Sequence, residues 1–240
     1  MPKQPSEFDK GVQFVKEHFP KLRIKFKNES WTSKVIAAVV WIFNRRYLAD
    51  FTTVRGNSIY FPNRAFVEES PRRAFKILMH EFVHMWDARE SPFWFRVAYG
   101  FPQILFLLFL PLLIIALCIP AGDPGTPKWV TVAVLAILGF VSLLPLPSPG
   151  RARAEFRGYA MSMAQNFWRY GSIQDETKEW VAERFTGWGY YKMWSFAADV
   201  EKRVETACIL IEHETIVTLD YEDGSAAPFA LVKDLYERMD

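Results

Sequence analysis

The chain has 240 residues, 50% of them hydrophobic and 16% aromatic, with 21 Phe and 9 Trp, a composition that excludes a disordered or low-complexity polymer and suffices for a large core. Its 29 basic and 27 acidic side chains leave a formal charge of +2, too weak a field to select nucleic acid as a partner. Two cysteines, Cys118 and Cys208, make neither a CxxC pair nor a disulfide framework.

Residues 1–20 (MPKQPSEFDKGVQFVKEHFP) mix charged and apolar positions without the uninterrupted apolar stretch of a secretory signal, so the start of the chain is expected in the cytosol. From Lys21 to Lys27 (KLRIKFK) strict alternation predicts a half-buried strand, with Leu22, Ile24 and Phe26 on one face. The opposite face carries four basic residues and meets either solvent or anionic lipid. Asn28 to Ser30 offer caps for a helix over Trp31–Tyr47. Its longest uncharged stretch, Val35–Phe43, is too short to span a bilayer and reads as a buried core helix. Two β-rich pieces, Phe51–Val54 and Ser58–Phe61, flank Arg55-Gly56-Asn57 and predict a hairpin. Ser70-Pro71 then starts a helix running from Arg72 to about Glu90, with Phe75, Leu78, Phe82 and Met85 as its apolar stripe.

Two uncharged runs follow, Val97–Gly122 and Trp129–Gly150, separated by the turn Asp123–Lys128 (DPGTPK). Their length and their Leu, Ile, Phe and Val content predict a transmembrane hairpin, since a helix rising ~1.5 Å per residue must cover ~30 Å of hydrocarbon. The other reading is a pair of buried helices in a soluble core or an oligomer interface. Pro102 and Pro111 in the first run, and Pro145, Pro147 and Pro149 in the second, leave room for kinked helices or a shallow re-entrant pair. Arg89 and Arg96 precede the runs, and Arg151, Arg153 and Arg157 follow them. By the positive-inside rule both ends of the hairpin, and with them both termini, face the cytoplasm. Further helices are expected at Arg151–Tyr170, stopped by Gly171-Ser172, and at Asp175–Phe185 and Phe196–Ile211, with an aromatic connector over Trp188–Trp194.

The chemistry concentrates on the helix after Ser70-Pro71. His80-Glu81-Phe82-Val83-His84 places two imidazoles four residues apart on one helical face, where both reach one ion, and sets Glu81 beside the first. Neutral imidazoles suit zinc, which in a catalytic site takes three protein ligands and a water. For the third ligand the sequence offers His18, His213, Asp87 and Glu155, the last directly after the apolar runs.

The stretch Ile77–Trp86 (ILMHEFVHMW) resembles the extended HExxH consensus of the zincin metallopeptidases, and the order helix, hairpin, HExxH helix is similar too. In that comparison the strand Ser58–Phe61 lies along the site as an edge to which an extended peptide could add. The layout resembles integral-membrane gluzincins related to the CAAX prenyl endopeptidases and heat-shock membrane proteases, in which membrane helices separate HExxH from a glutamate ligand in an E-x-x-x-D pattern. Without the runs and their turn, only residues 85–96 and 151–154 separate His84 from Glu155. Tyr159 stands where the pattern has Asp. It is a partner for a ligand histidine, a donor to a developing oxyanion, or a packing residue. Asp87 offers the missing carboxylate partner, a ligand, or only a surface acid.

The fold implied is α+β: a mainly helical, minimal zincin-like domain with a small β-hairpin and an inserted two-helix transmembrane hairpin. Residues 1–96 form its N-terminal part, 97–150 the insertion and 151–240 the C-terminal part. The resemblance implies an integral-membrane zinc metallopeptidase with one Zn2+ per chain on His80, His84 and Glu155, with Glu81 as general base and Tyr159 as a further catalytic residue. Its substrates would be peptides or proteins beside the lipid bilayer. The alternative is a non-catalytic membrane scaffold of the same fold with structural or absent metal.

Overall fold

In the computed structural model, which describes residues 4–40, 52–102, 104–118, 128–142, 144, 146–188 and 192–239, the chain opens on a capping box. Ser6 Oγ accepts the Asp9 amide at 3.2 Å and Asp9 accepts the Ser6 amide at 2.9 Å, which satisfies two donors that a helix start leaves open. Helix α1 (Glu7–His18) follows and buries Phe8, Gly11, Phe14 and Val15, spaced three or four apart.

Strand β1 (Arg23–Phe26) shows the expected alternation, with Arg23 and Lys25 exposed and Ile24 and Phe26 half-buried. The hairpin forms as well, from β2 (Thr53–Arg55) and β3 (Ser58–Phe61), with Gly56 at φ 58° in its turn. The sheet order is β1-β3-β2. β1 runs parallel to β3, and β2 runs antiparallel to it. This corrects the placement of Ser58–Phe61 as an edge: both sides of β3 are hydrogen-bonded and all four of its residues are buried. A second correction concerns Lys27. The strand ends at Phe26, and the turn that follows carries Lys27 into the interior, where it is fully buried.

The expected helix after Ser30 is described over α2 (Trp31–Val40), and the rest of its span lies outside the described residues. Trp31 and Val35 on α2 are exposed and Ser33 is buried, so this part is not the core helix that its apolar content suggested. Asn63 caps α3 (Arg64–Glu69), accepting the Phe66 amide at 2.7 Å. The 20-residue α4 (Pro71–Glu90) then carries the HExxH residues, and its stripe of Phe75, Leu78, Phe82 and Met85 is buried as expected.

The first apolar run does not enter a single helix. Val97 to Gly100 belong to α5 (Pro92–Gly100), and a turn at Phe101-Pro102 leads to α6 (Leu105–Cys118). Proline explains the break, because it has no amide hydrogen and drives the residue before it out of helical geometry; Phe101 is extended at φ −75°, ψ 140°. Helix α7 (Lys128–Ser142) packs antiparallel-hairpin fashion on α6, and the expected turn residues 123–127 lie outside the described ones. Helices α6 and α7 have 14 and 15 residues, and among the described residues no helix is long and apolar enough to cross a membrane. Leu108, Ile114, Ile115, Leu117, Trp129, Ile137 and Phe140 on this pair are each more than half exposed.

The second long helix, α8 (Pro149–Tyr170), starts with Pro149 in its first turn and stops at Gly171 in the left-handed region at φ 71°. Then come α9 (Asp175–Thr186), α10 (Ala197–Glu212), a 3₁₀ turn at Thr215–Val217 and α11 (Ala227–Glu237). The last two elements had no counterpart among the sequence expectations. The hydrophobic core draws on residues from Phe8 to Met85 and from Ala152 to Tyr236, with α4 packed along α8 at its centre. Among the described residues, helices α6 and α7 contribute none to it. The architecture is therefore α+β: mostly helical, with one small sheet and a helical pair standing outside the core.

Candidate metal centre

Two helix periodicities build the site. His80 and His84 sit one turn apart on α4, and α8 crosses that face with Glu155 in its second turn. The two Nε2 atoms are 3.1 Å apart, and Glu155 Oε2 lies 3.4 Å from His80 Nε2 and 3.8 Å from His84 Nε2. Gly158 makes this approach possible, since a Cβ there would lie 2.5 Å from His80 Nε2. His84 and Glu155 are buried and His80 is nearly so.

These three side chains form the one group among the described residues able to hold a metal ion, with ligand atoms within 4.8 Å of one another. They suit a divalent ion on two grounds. Their separations bracket the ~3.3 Å edge of a tetrahedron with bonds of ~2.0–2.1 Å, and two imidazoles with one carboxylate are a donor set that zinc accepts in catalytic sites. No family model, curated protein or solved structure matches the chain. The site must be read from its own chemistry.

The other sequence candidates are not gathered here. His18 Nδ1 lies 3.0 Å from the Phe14 carbonyl, and its ring packs on Phe14, Phe82 and Trp86. His213 follows the last turn of α10 and is exposed. Asp87 is neither ligand nor partner to a ligand histidine: both of its oxygens accept from Arg157, each at 2.9 Å. Arg157 in turn is buried, which corrects its reading as a membrane-flanking charge. His84 Nδ1 is buried with no hydrogen-bond partner among the described residues. Tyr159 is buried with its ring edge-on to His80, centroids 4.9 Å apart, so it braces that imidazole.

The electrostatics separate the two carboxylates. Burial opposes ionisation of Glu155, but the His80 and His84 rings beside Oε2 hold its carboxyl well below the usual range. Glu81, buried beside them, is pushed up to about 7 by burial; His80 and Lys27 oppose the rise and Glu155 adds to it. Burial likewise lowers Lys27 to about 7, against the pull of Glu81. One residue is thus an anion suited to a cation, and its neighbour is a base poised near neutrality.

Sequence reasoning missed two residues of this site. Lys27 was assigned to a solvated face because alternation was extended past the end of β1. The Tyr99 hydroxyl, on α5, donates to Glu155 Oε1 at 2.5 Å, and within an uncharged apolar run no local pattern marks it.

Proposed function

We propose that this protein is a zinc-dependent metallopeptidase seated at a membrane, and the observation that carries the reading is the convergence of His80, His84 and Glu155 beside a buried Glu81. A bound zinc ion would supply an acidified water and polarise a substrate carbonyl. The two imidazoles and the Glu155 carboxylate would hold the ion, and the ring of Tyr159 keeps His80 in place. Glu81 accepts the proton from the attacking water and returns it to the leaving amine, a task for which a carboxylate near neutrality suits both directions. An extended peptide would add to β2 rather than β3, because β2 lies against α4 and pairs on one side alone among the described residues.

The α6–α7 pair supports the membrane part of the reading. Its outward side chains are large and apolar over two helices, and exposed apolar surface of this extent calls for lipid or protein cover. We take the cover to be lipid, with the site and both chain ends on the cytoplasmic side, and peptide segments near the bilayer as substrates.

The test is elemental analysis of protein recovered from carbonate-washed membranes. The expected result is about one zinc per chain in the wild type, lost in His84→Ala and Glu155→Ala. Recovery in the soluble fraction would overturn the membrane part, and a wild type without metal under chelator-free conditions would overturn the enzyme.

A further inference from the structure

The two oxygens of Glu155 face different ways. Oε2 points at the pair of imidazole nitrogens, whereas Oε1 accepts the Tyr99 hydroxyl at 2.5 Å, the short end of charge-assisted O–H···O contacts. The hydroxyl is well fixed. The Tyr99 ring stacks on Phe95 at 5.6 Å, meets His84 edge-on at 6.0 Å and lies under the Arg151 guanidinium at 5.6 Å. Its helix is pinned as well, because α5 approaches the first turn of α8 so closely that a Cβ on Gly150 would lie 2.6 Å from the Ala98 carbonyl oxygen.

We propose that Tyr99 is the positioning residue of the third ligand: it occupies Oε1, leaves Oε2 as the only oxygen free to bind the ion, and so makes α5, at the root of the apolar pair, part of the metal site. The inference rests on the reading of His80, His84 and Glu155 as metal ligands. A carboxylate with both oxygens free swings and can bind through either or both; one oxygen held by a hydroxyl on a packed helix has one orientation left. The ligand is then aimed before the ion arrives. Its aim also depends on how α5 sits, which ties the site to the helical pair that follows.

The experiment is zinc titration against a competing chromophoric chelator, on wild type, Tyr99→Phe and Glu155→Gln, with thermal unfolding run alongside. Tyr99→Phe keeps the ring contacts and removes the hydroxyl alone. Its zinc affinity is expected to fall about 10–100-fold, the usual cost of losing a partner that orients a ligand. A Tyr99→Phe affinity equal to that of a zinc-binding wild type would overturn the role of Tyr99 and leave the metal site standing; a wild type that takes no zinc would overturn both. A second measurement needs no variant. In zinc-loaded wild type with labelled glutamate, the infrared carboxylate stretches of Glu155, assigned by their loss in Glu155→Gln, are expected at the wide separation of one-oxygen binding. The narrow separation of two-oxygen binding would overturn the proposal.

Discussion

Glu81→Gln is expected to reduce peptide hydrolysis by about 10²–10⁴-fold, the range that a positioned general base contributes, while zinc stays at the wild-type ratio. The substitution keeps the size and most hydrogen-bonding capacity of the side chain, so α4 and its two imidazoles need not move. Only the ability to take up a proton disappears. Glu81 is suited to the task by its surroundings: burial raises its pKa to about 7, and a dication on the neighbouring ligands would favour its ionised form at neutral pH. The measurement is turnover of a peptide library by metal-loaded protein in parallel with metal content. A scaffold whose zinc is structural has no use for this carboxylate, and an unchanged rate in Glu81→Gln would sink the mechanism.

Arg157→Met should be the most damaging single change to the fold away from the ligands, at about 3–5 kcal/mol. The Arg157 guanidinium is 2% exposed and makes four hydrogen bonds, two to Asp87 at 2.9 Å, one to the Tyr221 carbonyl at 2.8 Å and one to the Ser225 carbonyl at 2.9 Å. It therefore ties α8 to α4 and to the segment before α11. Methionine fills much of the volume but leaves a largely buried carboxylate without its cation and two carbonyls without a donor. Tm should fall by on the order of 10 °C. The sharper test is the double variant Asp87→Asn with Arg157→Met, which should recover part of the loss because the unpaired charge is gone. Losses that simply add would show that the pair is not coupled. Arg157 lies two residues after Glu155, and Asp87 lies three after His84, so this clamp also sets the spacing of the helices that carry His84 and Glu155.

The site was partly legible from the chain because part of it is local. His80 and His84 share a face for the same reason that Phe75, Leu78 and Phe82 do, since helical period places residues three and four apart on one side. Glu155 was within reach through a resemblance of layout, and the fold places it beside both imidazoles. The errors have a common origin. Lys27 and Arg157 were read by what charged residues do on average and Asp87 by its place one turn from His84, and each is decided by a contact far away in sequence. Lys27 is enclosed near Glu81, and Asp87 with Arg157 closes a pair across 70 positions. Tyr99 reaches Glu155 across 56 positions from within a run whose composition pointed to lipid or to a buried helical pair.

What the sequence determined by itself is therefore the periodic part: the helices α4 and α8, the β2–β3 hairpin, the apolar character of the α6–α7 pair and the pairing of two histidines with a glutamate between them. Each follows from the spacing of side chains along a few turns of chain, where propensity and pattern act directly. Tertiary structure alone decided that β3 lies inside the sheet, that an arginine is buried to hold Asp87, and that a tyrosine from the apolar run holds Glu155. Those outcomes depend on which surfaces meet when α4, α5 and α8 pack. A buried polar group accepts whichever partner that packing brings within reach, because to remain without one costs more than any local preference can return.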